Sequence, residues 1–243
     1  MLVKTKALVL HQLKYGDSRV IVDLFTREAG RLSVVVSIPK TSRGKLKRQY
    51  FQPLTLLSVE LDQRPLVQLQ HLRDASLLSP YASLYASPAK LSIALFVAEF
   101  LYHALKGEQQ NIPLFDYVAS SIEWLDGCEA HYANFHLVFL MRLSRLLGFY
   151  PNLESNAGHD GLYFDLREAR FSGVAPTHRD FLMPPDAAKI GLLMRMDFPT
   201  MHLFRLSHDE RNRILDVLLT YYRLHLPAFP ELRSTGVLQE IYR

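Results

Sequence analysis

Hydrophobic residues change their spacing once along this chain, near Pro80, and that change constrains the fold more than any other feature. Before it, apolar residues alternate or run continuously through "KTKALVLHQL" (4–13), "RVIVDLFT" (19–26), "RLSVVVSI" (31–38), "LTLLSVELD" (54–62) and "LVQLQHLRDASLL" (66–78). A period of two sends successive side chains to opposite faces of an extended strand. "YGDS", "REAG" and "QRP" between these runs are turn chemistry. After Pro80 the period becomes roughly 3.6, which is that of a helix.

Five strands joined mostly by short turns make a sheet too small to leave its edges open, so it must curl on itself. A curled, partly closed five-stranded barrel is the pattern of the OB-fold, and strand count alone leaves an SH3-like barrel equally open. In the second part, Ser87-Pro88 is an N-cap followed by proline at the first helical position, and Gly107 closes that helix. Further helices are predicted over about 113–126, 131–148 and 185–196, and from Ser207, where Glu210 completes a capping box. A short amphipathic piece, "STGVLQEIY", ends the chain. Between 151 and 184 the pattern breaks into Asn, Gly and Pro around a hairpin-like "LYFDLREARFS". The fold class is therefore α+β, with a barrel over 1–80 and a mainly helical domain over 81–243 that carries a small hairpin insertion.

The net charge of +4 is divided unevenly. Residues 1–80 hold 13 Lys/Arg against 6 Asp/Glu, whereas residues 81–243 hold 15 against 18. Much of the excess lies in "PKTSRGKLKRQYFQP" (39–53), where Lys40, Arg43, Lys45, Lys47 and Arg48 fall within nine residues without an acid. Like charges repel, so such a segment is tolerable when solvated and useful when an anion docks on it. Phosphates are the natural ligand, because lysine and arginine displace their condensed counterions. Lys4 and Lys6, two apart and so on one face of the first strand, extend the same site. Tyr50 at the end of the segment is an aromatic beside cations, a combination that stacks on unpaired bases.

Catalysis is not indicated. "TSRGKLK" has a Gly-Lys pair but lacks the upstream glycine and the hydroxyl of a phosphate loop. GxGxxG, HExxH and GxSxG are absent from the sequence. His131 and His136 are five apart, not the i, i+4 of a metal pair, and His159, Asp160 and His178 read as solvated loop residues. Cys128 is the only cysteine, so no internal disulfide forms, and with no secretory leader at the N-terminus the chain is expected in the cytoplasm, without a membrane partner. No cofactor is expected.

With these pieces assembled, the chain resembles the RecO family of bacterial recombination mediators and DNA repair proteins. The resemblance rests on "KALVLHQLKYGDSRVIVDLFTREAGRLSVVV", "FQPLTLLSVEL", "LLGFYPNLE" and "YYRLHLPAFPELRSTGVLQEIY", in that order across nearly the whole length. It implies an N-terminal OB-fold and a helical C-terminal domain. It further implies binding of single- and double-stranded DNA at the nucleoid, annealing of complementary strands, and help to RecR in loading recombinase in the RecF pathway, all without nucleotide hydrolysis. Implied partners are RecR and the acidic, apolar C-terminal tail of the single-stranded DNA-binding protein. Arg142 and Arg145, three apart on one helix, are candidate anchors for that tail, beside Phe139 or Leu146. One departure stands out: many members carry a four-cysteine zinc module after the segment matching "LLGFYPNLE", and "SNAGHDGLYFDLREARFSG" here has no cysteine. A zinc-free hairpin held by packing is expected. Two competing classes are a protein-interaction scaffold and an RNA-binding OB module, neither of which anneals DNA.

Overall fold

A computed structural model describes residues 2–16, 18–38, 46–64, 67–152 and 161–241. The alternating runs form five strands: β1 (Leu2–Tyr15), β2 (Arg19–Thr26), β3 (Gly30–Ser37), β4 (Leu56–Asp62) and β5 (Leu69–Leu77). They close into a barrel in the order β1-β2-β3-β5-β4. β3 and β5 run parallel, Ser33 to Val35 against Leu69 to His71, and the other neighbours are antiparallel. This closed five-strand order is that of the OB-fold and resolves the alternative left open by strand count. β1 is long enough to pair with both β2 and β4 because a bulge between Val9 and His11 bends it round the barrel.

Inward positions follow the period of two. Ala7, Val9, Val22, Leu24, Val34, Val36, Leu57, Val59 and Leu61 are fully buried. A 3₁₀ turn at Arg48–Phe51 adds Phe51 to this core, where burying a ring of that size contributes about 1.5–3 kcal/mol. On β5 the inward residues are Gln70 and Leu72 rather than Leu69 and His71. Gln70 can be buried because its amide is satisfied: it accepts from Arg64 N and donates to the carbonyls of Arg64 and Val67.

The chain forms two compact units, one holding residues up to 127 together with 232–241, the other 128–231. In the first, the barrel is accompanied by α1 (Pro88–Ala104), α2 (Ile112–Gly127) and α6 (Ser234–Ile241). The Ser87 hydroxyl caps α1, accepting from Lys90 N. Asp126 near the end of α2 accepts from the N–H groups of Ala82, Ser83 and Leu84, which fixes the segment leading from β5 to α1. The buried Lys90 ammonium completes this corner by donating to Ser83 Oγ and the Asp126 carbonyl.

The second unit holds α3 (Phe135–Leu146), α4 (Pro184–Arg195), α5 (His208–His225) and a small sheet of β6 (Tyr163–Asp165), β7 (Arg170–Ser172) and β8 (Phe181–Leu182). The helix expected from 131 begins only at Phe135. His131 has φ +65°, outside helical space, and the Asn134 amide is committed to the carbonyls of Met201 and Phe204. The capping box is formed in both directions between Ser207 and Glu210. The hairpin packs through Phe164, 4.9 Å from the Phe171 ring and 6.1 Å from the Tyr221 ring of α5.

Candidate nucleic-acid interface

The β1–β2 connection is a tight turn, with Gly16 at φ +74°, a backbone region that side-chain-bearing residues seldom adopt. The turn brings Tyr15 and Arg19 directly opposite one another in the ladder, and Arg19 is in turn opposite Ser37 at the end of β3. Ile38 then donates its N–H to the Ser18 carbonyl at 2.8 Å. The basic segment therefore leaves the barrel beside the β1–β2 turn. Lys14 and Arg19 are both exposed there, with the Arg19 guanidinium 5.6 Å from the Tyr15 ring centroid.

Of the five cations in the segment, Lys47 and Arg48 are exposed at the start of the 3₁₀ turn, while Lys40, Arg43 and Lys45 lie outside the described residues. Tyr50 is half-buried against the barrel core, so part of its ring serves packing. Lys4 and Lys6 do share the outer face of β1, with Thr5 and Ala7 turned inward. Lys4 reaches Glu60 across the β1–β4 ladder at 3.4 Å and is partly neutralised by it. Lys6 is eight residues from Lys14, about 26 Å along an extended strand, so the pair sits apart from the β1–β2 turn.

The cations differ in how far the protein itself satisfies them. Arg27 forms a two-pronged pair with Asp116, at 2.7 and 2.9 Å, which raises its pKa and lowers that of the aspartate. Among the described residues, no acid stands at ion-pair distance from Lys14, Arg19, Lys47 or Arg48. Lys14 and Arg19 escaped notice in the linear sequence because each is a single charge. The available signal was their symmetrical placement about "KYGDSR".

Part of the outer sheet face is covered by α1. His11, Asp23 and Arg31 meet under Tyr102 of α1: the His11 ring lies 4.7 Å from the Tyr102 ring and the Arg31 guanidinium 4.5 Å from it. Ser33 Oγ donates to Asp23 at 2.5 Å, on the oxygen opposite the one facing His11. Serine and histidine thus both address the aspartate and not each other, which is a packing network and not a relay.

In the second unit, Arg142 and Arg145 are both exposed on α3, and each has an internal partner. Arg142 donates to the Met196 carbonyl at 2.9 and 3.3 Å, and Arg145 lies 4.2 Å above the Tyr150 ring. Phe139 is fully buried and offers no surface to a docking peptide, whereas Leu146 is half-buried. A separate pocket of about 240 Å³ between α4 and α5 has Ile190, Ile214 and Val217 in its lining, with Lys189 and Arg213 balanced by Asp186 and Asp216.

The described donors in the hairpin do not suit a zinc ion. His178 Nε2 lies 3.2 Å from one Asp165 oxygen, and the other oxygen accepts from the N–H groups of Arg167 and Glu168. His178 Nδ1 accepts from Asp180 N, so both ring nitrogens are committed. His159 and Asp160 lie outside the described residues. His136 is buried in α3, its pKa pushed down to about 3 by burial and then by Arg211, and is neutral at physiological pH. His131 lies outside that helix, its ring 5.7 Å from His202. Among the described residues no three His, Cys, Asp or Glu side chains converge, and no helix is long and apolar enough to cross a membrane.

Two family models cover this architecture: "Recombination protein O N terminal" matches residues 1–81 and "Recombination protein O C terminal" matches residues 86–234. The chain is 50% identical over 242 residues to the DNA repair protein RecO of Phocaeicola vulgatus, with all of both chains covered. It is 48% identical to that of Bacteroides fragilis over 243 residues and 37% identical to that of Porphyromonas gingivalis over 246, again over the full length of each. The chain belongs to the RecO family of DNA repair proteins.

Proposed function

We propose that this chain is a non-catalytic recombination mediator of the RecF pathway that binds single- and double-stranded DNA and anneals complementary strands. It helps RecR load recombinase onto DNA coated by the single-stranded DNA-binding protein. The observation that carries the reading is the excess of unpaired cations in the barrel unit. The basic segment follows β3, whose Ser37 lies opposite Arg19, and Lys14, Arg19, Lys47 and Arg48 have no acid at ion-pair distance among the described residues. Phosphates supply the missing negative charge and release counterions on contact. Annealing follows from the same chemistry: neutralising two backbones lowers their repulsion without reading sequence, so base specificity is low. Arg142 and Arg145 are proposed as contacts for the acidic tail of the single-stranded DNA-binding protein, reached by exchanging their internal partners for carboxylates.

The test is annealing of complementary oligonucleotides by the wild type and by a variant with Lys40, Arg43, Lys45, Lys47 and Arg48 all changed to alanine. Wild-type annealing that is lost in the still-folded variant supports the reading. Annealing that survives moves the DNA site elsewhere on the protein, and none from the wild type leaves the chain as a scaffold.

A further inference from the structure

The second unit holds a pair of imidazoles that the DNA-binding reading does not use. His131 precedes α3, and His202 lies in a 3₁₀ turn at Met201–Leu203. Their rings stand 5.7 Å apart with planes tilted by 40°, and both residues are exposed. The backbone that carries them is fixed from beneath. The buried Asn134 amide donates to the carbonyls of Met201 and Phe204 at 3.1 and 3.0 Å, and the Phe135 ring stacks on that of Phe198 at 4.8 Å. Other histidines of this unit spend their nitrogens internally: His178 on Asp165 and Asp180 N, His208 on Asp209 and Asn212, His225 on the Leu166 carbonyl. No such bond engages His131 or His202 among the described residues, so each neutral ring has a nitrogen lone pair to offer.

We propose that His131 and His202 together bind one divalent transition-metal ion of the zinc, nickel or copper class. An ion held by two imidazole nitrogens at about 2.1 Å places the ring centres about 5.2 Å apart at the tetrahedral angle, and further apart as that angle opens. The observed 5.7 Å needs only a small side-chain adjustment, which exposed rings can make. Imidazole selects this class over magnesium and calcium, which take oxygen donors, and the affinity order puts copper above nickel and zinc. Cys128, three residues before His131, does not join the pair. Its thiol donates to the Ala130 carbonyl at 2.9 Å, and no third His, Cys, Asp or Glu converges here among the described residues. Solvent completes the coordination. Two protein donors, where a structural zinc site has four, make the ion exchangeable, so a chelator removes it without unfolding the chain. The site shares no residue with the hairpin and does not depend on any DNA contact.

The experiment uses the full chain without an affinity tag, stripped with chelator and dialysed. Nickel and zinc are titrated by calorimetry into wild type, His131→Asn, His202→Gln and the double variant, with magnesium as the control ion. Asparagine is chosen at position 131 because it tolerates the φ of +65° there. Melting curves without metal confirm folding. The wild type should bind one nickel or zinc ion per chain and no magnesium. Either substitution should weaken binding about tenfold or more, since even the loss of an outer-shell partner of a metal ligand costs about 10–100-fold. The double variant should be about as weak as the singles, because removing one donor already destroys the chelate. Copper bound to the wild type should show two nitrogen donors by electron paramagnetic resonance, and one in each single variant. Unchanged affinity in His202→Gln, or losses that simply add in the double variant, would overturn the proposal. So would a wild type that binds none of these ions.

Discussion

Glu99 on α1 accepts hydrogen bonds from both the backbone N–H and the hydroxyl of Ser234, and so caps the first turn of α6 from a position 135 residues away. The same carboxylate also accepts from Arg233 N at 3.0 Å. Helices leave their first N–H groups without partners, and here another helix supplies the acceptor. Burial pushes the Glu99 carboxyl upward, but the Ser234 and Arg233 donors outweigh it and hold the group below its ordinary value of 4.5. A depressed folded-state pKa means the stabilisation is fully present above the unfolded value and fades as pH falls through the folded one. Glu99→Ala should therefore cost about 1–3 kcal/mol at pH 7, the range for leaving a hydrogen bond to a charged group unmade. Amide exchange in 234–241 should accelerate, and the gap between variant and wild type should close towards pH 3. Equal exchange rates at neutral pH would mean that α6 is held by its apolar contacts alone.

Gly30 at the start of β3 is required on two counts. Its φ is +69°, and a Cβ there would stand 2.5 Å from the Gln109 carbonyl carbon and 2.6 Å from Glu108 O. The crowding comes from Arg31 N donating to Glu108 O at 3.0 Å, which pulls that backbone onto the barrel. Because the obstacle is backbone, it cannot swing aside. Gly30→Ala is expected to destabilise by about 3 kcal/mol from strain and overpacking together. A melting temperature within two or three degrees of wild type, on the order of the effect of a neutral substitution, would contradict this.

The barrel was legible because three signals agreed along the chain: a period of two, turn residues between runs, and a stop at Pro80. What the linear pattern did not carry was anything set by register or tertiary contact. Arg19 is one charge in the sequence and becomes part of a cluster only because the ladder pairs it with both Tyr15 and Ser37. Arg142 reads as a free surface cation until the chain brings the Met196 carbonyl, 54 residues on, within 2.9 Å. Likewise α3 starts four residues later than its apolar spacing implies, since Asn134 bonds to Met201 and Phe204 rather than into the helix.

The proposed phosphate contacts make a quantitative prediction. With about five phosphates neutralised on a single strand, the logarithm of affinity should fall with the logarithm of salt at a slope of about −3.5. Replacing Lys40, Arg43, Lys45, Lys47 and Arg48 together by alanine should flatten that slope towards zero. Titrations at four or five salt concentrations measure it directly. An unchanged slope would exclude these residues from the interface whatever happens to affinity at a single salt.

Tail recognition has a sharper signature than simple loss of binding. Arg142→Lys keeps the charge but gives up the fork that bonds Met196 O, while Arg145→Lys gives up the planar contact with the Tyr150 ring. If these arginines hold an acidic peptide, the double alanine variant should lose tenfold or more in affinity for the tail of the single-stranded DNA-binding protein, about 1.4 kcal/mol. The double lysine variant should recover part of it at low salt. Unchanged peptide affinity in the alanine variant would assign both side chains to the packing of their own unit.

The hairpin supplies the last prediction, and it concerns a metal. Residues 151–184 contain no cysteine, and the described donors best placed to bind an ion, Asp165 and His178, are already bonded to one another and to backbone N–H groups. Burial raises the Asp165 carboxyl, but the N–H groups of Glu168 and Arg167, then His178, bring it below the ordinary aspartate value, so it is ionised at neutral pH. Phe164, 1% exposed, supplies the apolar anchor through the Phe171 and Tyr221 rings. Packing, the Asp165–His178 hydrogen bond and the Arg167–Asp180 ion pair should therefore hold the hairpin without zinc. Elemental analysis of the purified protein should give well under one zinc per chain, and a chelator should leave the melting temperature unchanged. Phe164→Ala should cost about 3–5 kcal/mol and free the hairpin locally. Asp165→Asn should cost less, because the amide oxygen still accepts from Arg167 and Glu168. Stoichiometric zinc, or a chelator that unfolds residues 161–182, would show that metal does what packing is argued to do.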